Sequence, residues 1–374
     1  MIIDVHCHHT LTRMLLTVAE RFSFERDEPG DRAGDSRKVF PTDFESCVSP
    51  RALRRISWRL ARRLQGLPED CAVLDHHLAA EYRRHLEAPG PIDRFVLLAF
   101  DAVRDDEGRC VPLPGPGDAF GSDIYTSNSL IRNLCRQHPE RFLFGASVHP
   151  YRRDAIACIE EVFAAGACLL KWIPLHQNID VTDPRVVAVL RRCAELGLPL
   201  LIHMGDEFSL TMQRRQYRSV RPLLNTLRGL HAEGQMPCVI VAHGATPVLP
   251  WGDRHSHRAL LAAMTGDLAA APLYADISAL TVPAKVTYLR RLIRRPELHG
   301  KLLFGSDFPV PAILFRLWRD LGADYRRLAR VASWPQRVAM VCRRLGFDEI
   351  VFQRAAELLP HVDYFARKGA AVPA

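Results

Sequence analysis

The chain has 374 residues, 48% of them hydrophobic and 25% charged, with 22 Gly, 26 Pro and a formal net charge of +8. That composition belongs to a globular protein with apolar residues enough for a large core, and excludes a wholly disordered chain, a collagen-like repeat and a disulfide miniprotein. Of the 50 basic residues only five are Lys (Lys38, Lys171, Lys285, Lys301 and Lys368), and the Arg residues are spread along the chain, which reads as base composition rather than a phosphate-binding design. No nucleic-acid partner is expected. The ten Cys show no CxxC pair, so reduced, packed thiols are expected in place of a zinc ribbon or a secreted disulfide framework. Apolar runs such as Phe95 to Phe100 are too short to cross a bilayer, and Met1-Ile2-Ile3-Asp4 opens without a signal segment, so a soluble, cytoplasmic chain with no membrane association is expected.

Eight short apolar runs punctuate the chain: Ile2 to His8, Arg94 to Asp101, Phe142 to His149, Cys168 to Ile173, Leu198 to Met204, Cys238 to His243, Leu273 to Ser278 and Lys301 to Asp307. Most are followed by a stretch of helical periodicity, which predicts a parallel sheet joined by crossover helices. Eight such units predict a (β/α)₈ TIM barrel as a single α/β domain over 1–374. Between the third and fourth runs the helix is expected at Arg153 to Ala165, ended by Gly166.

The first interval is far longer than the others and predicts an insertion, 10–90, over the barrel mouth. Its part Phe24 to Lys38 is polar and rich in Asp, Arg and Gly, and is expected to be a mobile loop. Pro50 to Gly66 places Leu53, Ile56, Leu60 and Leu64 on one helical stripe among Arg51, Arg54, Arg55, Arg59, Arg62 and Arg63. Such a helix could meet an acidic partner or a membrane surface; the expected placement is across the barrel mouth with a solvated Arg face. A helix Leu74 to Leu86 leads into the second strand, and Val111 to Asp123, rich in Pro and Gly, predicts a rim loop. The tail is expected to be a helical segment, 316–374, with Ala371-Val-Pro-Ala374 fraying.

The sharpest chemical feature is Asp4-Val-His-Cys-His8 at the end of the first run. Side chains two apart on a strand share a face, so His6 and His8 are expected to project together into the mouth, close enough to share a metal ion. His203, His243 and Asp307 also stand at the ends of runs, and in such a barrel those ends converge. A lone histidine at a strand end is more often structural; four with a carboxylate are hard to attribute to packing.

These segments resemble the amidohydrolase superfamily, in its amidohydrolase-related (amidohydrolase 2) branch. The resemblance rests on the His-x-His, His138-Pro-Glu-Arg-Phe142, Ala146-Ser-Val-His-Pro150, Gly197-Leu-Pro-Leu-Leu-Ile-His-Met-Gly205, Ala242-His-Gly244 and Phe304-Gly-Ser-Asp-Phe-Pro309. It implies that His6, His8 and Asp307 bind a divalent metal, with His203 as another ligand and His243 as a second ligand or a catalytic acid/base. Neutral imidazoles with one carboxylate suit zinc. A metal-bound water could be hydroxide at neutral pH, with Asp307 taking its proton.

Lys171 stands where binuclear members of the superfamily carry a carboxylated lysine bridging two metals. Two states stay open for it, that carbamate or a plain ammonium binding a substrate carboxylate or pairing within the barrel. Asp4 is expected to orient a ligand histidine or a neighbouring backbone amide. Rim residues His149, Trp172, His176, Asp206, Glu207, Arg214, Arg215, Tyr217, Trp251 and Ser278 could touch substrate, each more simply supporting a loop.

The resemblance implies a metal-dependent hydrolase that uses metal-activated water on an amide, ester or lactone carbonyl of a small, carboxylate-bearing substrate. The alternative is a metal-dependent non-oxidative decarboxylase, a lyase acting on an aromatic or dienoic acid. The first strand is also similar to TatD-type nucleases, but those carry a glutamate where this chain has Lys171. A non-catalytic scaffold is disfavoured because every expected ligand position is filled. The sequence admits a homo-oligomer.

Overall fold

A computed structural model describes residues 1–26, 29–34, 38–68, 70–115, 117–249 and 252–369. Each of the eight apolar runs contains a strand: β1 Ile3–His8, β2 Arg94–Leu98, β3 Phe142–Ala146, β4 Ala167–Trp172, β5 Leu200–Ile202, β6 Val239–Val241, β7 Leu273–Asp276 and β8 Leu302–Leu303. All pair in parallel in sequence order. The ring closes where β8 returns to β1: the Val5 amide donates to the Phe304 carbonyl (3.2 Å), the Asp307 amide to the His6 carbonyl (2.8 Å) and the His8 amide to the Phe308 carbonyl (2.8 Å). The chain is therefore a (β/α)₈ barrel.

Helices Asn128–Gln137, Ala155–Ala164, Pro184–Leu196, Val220–Ala232, Arg254–Thr265 and Val286–Ile293 cross from strand to strand. Their buried faces pack on the outward side chains of the strands, so both faces of the sheet are covered and the strands read as continuous apolar runs. Inside the ring, Ile3, Val5, Val96, Leu98, Leu143, Leu169, Leu201, Ile240 and Leu303 form the barrel's own core. The tail is helical, as expected, and its helix Glu349–Leu358 adds Ala355 to this core, with Leu359 just after it. The segment 371–374 lies outside the described residues.

An irregularity in β1 decides what the barrel mouth contains. Asp4 pairs with Phe95 but Cys7 with Leu97, one residue more on β1 than on β2. Ile3 and Val5 face the interior, whereas Cys7 joins the outer core and His6 and His8 turn inward. Such a bulge changes which side chains a strand aims at a face.

The insertion is more structured than its sequence suggests. Arg13–Met14, Ser46–Val48 and Ile124–Thr126 form a small antiparallel sheet. Strands this short show no alternation to read, and the third follows the rim stretch 111–123. Part of the loop Phe24 to Lys38 lies outside the described residues. The Pro50 to Gly66 stretch breaks at Arg54 and Arg55 into Pro50–Leu53 and Ile56–Gln65, and left-handed Gly66 ends it.

The helix Ile56–Gln65 turns Trp58, Leu60 and Ala61 toward the barrel mouth, with Leu60 still 48% exposed, and leaves Ile56 and Leu64 exposed at 72% and 51%. Hydrogen bonds set that rotation: the Trp58 indole donates to the Ser209 carbonyl (3.1 Å), and the Arg55 guanidinium to the Phe208 carbonyl. No helix among the described residues is long and apolar enough to cross a membrane.

Gly305 lets β8 approach β1. A Cβ there would lie 2.9 Å from the His6 Cβ and 3.2 Å from the Ser278 Cβ. Gly305→Ala should therefore cost about 1–3 kcal/mol of stability through overpacking, read as a lowered urea midpoint at unchanged slope; an unchanged midpoint would contradict the tight approach.

Candidate metal centre

β1, β4, β5, β6, β7 and the turn after β8 each send a polar side chain to the mouth. His6 is the hub. Its Nδ1 lies 2.8 Å from Asp276 Oδ2, and its Nε2 lies 3.1 Å from Lys171 Nζ and 3.3 Å from Asp307 Oδ1. A carboxylate only accepts, so Nδ1 carries the proton and Nε2 presents a lone pair.

His243 is arranged in the same way. Its Nδ1 lies 2.7 Å from the Ser278 hydroxyl, which donates its own proton to Asp276 Oδ1, so Nδ1 is the donor and Nε2 is free. That Nε2 lies 3.7 Å from Asp307 Oδ2. His243 adopts φ 52° and its amide donates to Asp276 Oδ1 (2.7 Å). A non-glycine residue in the left-handed region is costly, and here the surrounding hydrogen bonds hold it. His8 Nε2 stands 3.1 Å from Asp307 Oδ1, and its Nδ1 is buried with no hydrogen bond among the described residues.

The donor set fits a divalent ion. Ligand atoms about 2.0–2.1 Å from a tetrahedral ion stand roughly 3.3–3.4 Å apart, and the separations of His6 and His8 Nε2 from Asp307 Oδ1 are 3.3 and 3.1 Å. His6, His243 and Asp307 also form a compact group, each offering an atom within 4.8 Å of the others.

Protonation states agree with this. Burial pushes the imidazoles of His6, His8, His203 and His243 below their usual value, toward the neutral form that binds metals. Burial opposes ionisation of Asp307, but His6, His8 and the Lys171 ammonium face it and hold its carboxyl below the usual carboxylate range. Burial lowers Lys171 to about 8, with Asp307, Asp276 and Glu207 resisting.

His203 is turned differently from the other three. Its Nε2 lies 3.3 Å from the Asp206 carbonyl oxygen and 3.5 Å from Glu207 Oε2, although its ring centre is 5.2 Å from that of His243. Asp4 Oδ1 accepts from the amides of His6 (3.1 Å) and Ser306 (2.9 Å), tying β1 to the turn after β8, and burial raises its carboxyl to about 7.

Most of the rim residues support loops. Both ring nitrogens of His149 and of His176 are taken by backbone groups, and the Trp172 indole donates to the Val148 carbonyl. Asp206 accepts from Arg218 and from the Asp253 amide, Glu207 from the amides of its own loop, and Arg214 donates to Asn178. Tyr217 packs against an apolar cluster, and Arg215 lies in a short 3-10 helix. Trp251 lies outside the described residues.

Ser278 is the exception, since it holds His243. Sequence reading missed Asp276, whose one carboxylate binds His6, Ser278 and the His243 amide; the available signal was an acid two residues before Ser278 at a strand end.

Residues 3–333 match the profile of a family described as amidohydrolase. The chain belongs to the amidohydrolase family. Its members are enzymes that generally bind a divalent metal, and the cluster of His6, His243 and Asp307 is in keeping with that. Among solved structures the chain is similar to a probable 2-pyrone-4,6-dicarboxylic acid hydrolase from Acinetobacter baumannii, at 13% identity over 95% of this chain and 99% of that one, with a TM-score of 0.46. It is also similar to 5-carboxyvanillate decarboxylase from Sphingomonas paucimobilis, at 14% identity over 91% and 98% with a TM-score of 0.43. A third is 2,6-dihydroxybenzoate decarboxylase from Rhizobium, at 13% identity over 76% and 95% with a TM-score of 0.41. No functionally curated protein matches the chain.

Because Asp276 orients His6, Asp276→Asn should weaken binding of a divalent ion to the metal-free protein by about 10–100-fold. Calorimetric titration, with circular dichroism to confirm folding, checks it.

Proposed function

We propose that this amidohydrolase is a metal-dependent hydrolase acting on an amide, ester or lactone carbonyl of a small, carboxylate-bearing substrate. In this reading His6, His8 and Asp307 hold a divalent ion, most simply zinc, His203 is a further ligand, and Lys171 holds a second ion if carboxylated. The observation that supports it is the approach of two histidine Nε2 atoms to one Asp307 oxygen at 3.3 and 3.1 Å. When bound, the ion supplies Lewis acidity toward a carbonyl oxygen and toward water.

The chain's own residues move the proton. Asp307, held ionised, accepts it from the attacking water and passes it to the leaving group. His243, its Nδ1 fixed by Ser278, offers Nε2 on the other side of Asp307 as the second acid/base. The walls of the cavity above these groups are mainly apolar, which limits the water around these exchanges.

One observation favours a second reading, decarboxylation. Lys171 stands 3.1 Å from His6 Nε2, where an unmodified ammonium would bind a carboxylate rather than a second metal, with His243 assisting proton transfer. At a value of about 8, Lys171 keeps a share of neutral amine at neutral pH, the form that reacts with CO₂.

Metal analysis and ¹³C NMR after exposure to labelled bicarbonate separate the two. Two ions per chain with a lysine carbamate signal support hydrolysis. One ion with a bare amine, and CO₂ released from aromatic acids, supports decarboxylation. Asp307→Asn and His243→Gln should each lower kcat/KM by about 10²–10⁴-fold. A protein that binds no divalent ion stoichiometrically would overturn both readings.

A further inference from the structure

Two of the five lysines of this Arg-rich chain line one cavity of about 460 Å³ at the barrel mouth. Lys171 has a partner there, His6 Nε2. Lys285 has none: its side chain is only 4% exposed, yet no hydrogen bond or ion pair reaches its Nζ among the described residues. It is placed by the turn after β7, where its amide donates to the Val282 carbonyl and it opens the helix Val286–Ile293. It is close enough to His203 and His243 to act on both electrostatically.

Keeping an ammonium out of bulk water without a bonded anion is costly, and proteins meet that cost where a ligand brings the anion. The carboxylates that act on Lys285, chiefly Asp307, Glu207 and Asp276, are committed to histidines, a loop and the Ser278 hydroxyl.

The rest of the cavity is mainly apolar, with Thr10, Thr12, Ser57, Arg62 and Ser209 also in its lining. The insertion contributes Trp58, Leu74 and Leu78, and the barrel rim Phe100, Ile173 and Ile313. Of the other cations in the cavity lining, Lys171 is bonded to His6 Nε2 and Arg62 donates to the Leu53 carbonyl. Lys285 is thus the cation left without a bonded partner among the described residues, and one ammonium balances one negative charge.

We propose that Lys285 is the anchor for the substrate's anionic group, and that the substrate is an amphiphilic monocarboxylate whose apolar body fills the cavity while its reacting carbonyl faces Asp307. This rests on the reading of the site given above for the word substrate, but the binding it describes does not require chemistry. Lys285 would then set specificity by charge and the walls by apolarity, because a buried site built for a charged group rejects a ligand that lacks it.

The test uses the full chain and two probes, 4-phenylbutyrate and the neutral 4-phenylbutan-1-ol, titrated calorimetrically. The wild type should bind the carboxylate more tightly than the alcohol. Lys285→Met should weaken the carboxylate by about tenfold or more and leave the alcohol unchanged, while Lys285→Arg restores part of the difference. Because the variant removes an unpaired buried charge, it should also unfold at a higher temperature than the wild type; a lower Tm would indicate a structural ion pair and overturn the proposal. So would equal affinity for the two probes, no carboxylate binding by the wild type, or a loss that follows Lys171→Met instead. Zinc titration of the same variant keeps the two readings apart. Intact zinc binding with Lys285-independent carboxylate binding sinks the anchor alone, and Lys285-dependent binding without zinc sinks the metal-dependent reading alone.

Discussion

Where the eighth strand meets the first, the Asp307 amide donates to the His6 carbonyl and the His8 amide to the Phe308 carbonyl. These bonds close the barrel and also fix the acid between the two histidines, so fold closure and site assembly are one event. The approach is tight enough that Gly305 has no room for a side chain. A bulge in β1 then turns His6 and His8 inward above Ile3 and Val5. Remove the pairing and both the ring and the cluster come apart.

Around that seam the charges form an ordered network. Asp276 binds His6 through one oxygen, and through the other takes the Ser278 proton and the His243 amide. A single carboxylate thus sets the orientation and tautomer of two imidazoles and leaves their Nε2 lone pairs directed at Asp307. Such outer partners raise the basicity of metal-binding histidines and keep them from rotating. Burial pushes the rings toward their neutral form and also opposes ionisation of Asp307, whose carboxyl His6, His8 and the Lys171 ammonium nevertheless hold below the usual range.

The mouth combines this polar floor with mainly apolar walls, supplied both by the insertion after β1 and by the barrel's own rim loops. Strand ends carry the floor, and the walls come both from inserted residues such as Trp58, Leu74 and Leu78 and from rim residues such as Phe100, Ile173 and Ile313. The helix Ile56–Gln65 shows how weakly a hydrophobic stripe alone sets orientation. Ile56 and Leu64 lie outward because hydrogen bonds from Trp58 and Arg55 to the loop at 208–209 fix the rotation.

The sequence by itself determined the eight strands, the helical tail, the family, and the candidate donors at the strand ends. It could do so because strands buried on both faces must be written as apolar runs and because ligand chemistry admits few residue types. Tertiary structure decided what depends on distance and rotation. It placed Asp276 behind His6, turned His203 toward Asp206 and Glu207, paired Arg13–Met14, Ser46–Val48 and Ile124–Thr126 into a sheet, and left the Lys285 ammonium without a hydrogen bond or ion pair among the described residues. An acid at a strand end is visible locally, but which partner each of these groups meets is not. A hydrogen bond between residues 270 positions apart is set by where the ring closes, and a lysine's lack of a partner is a property of everything packed around it.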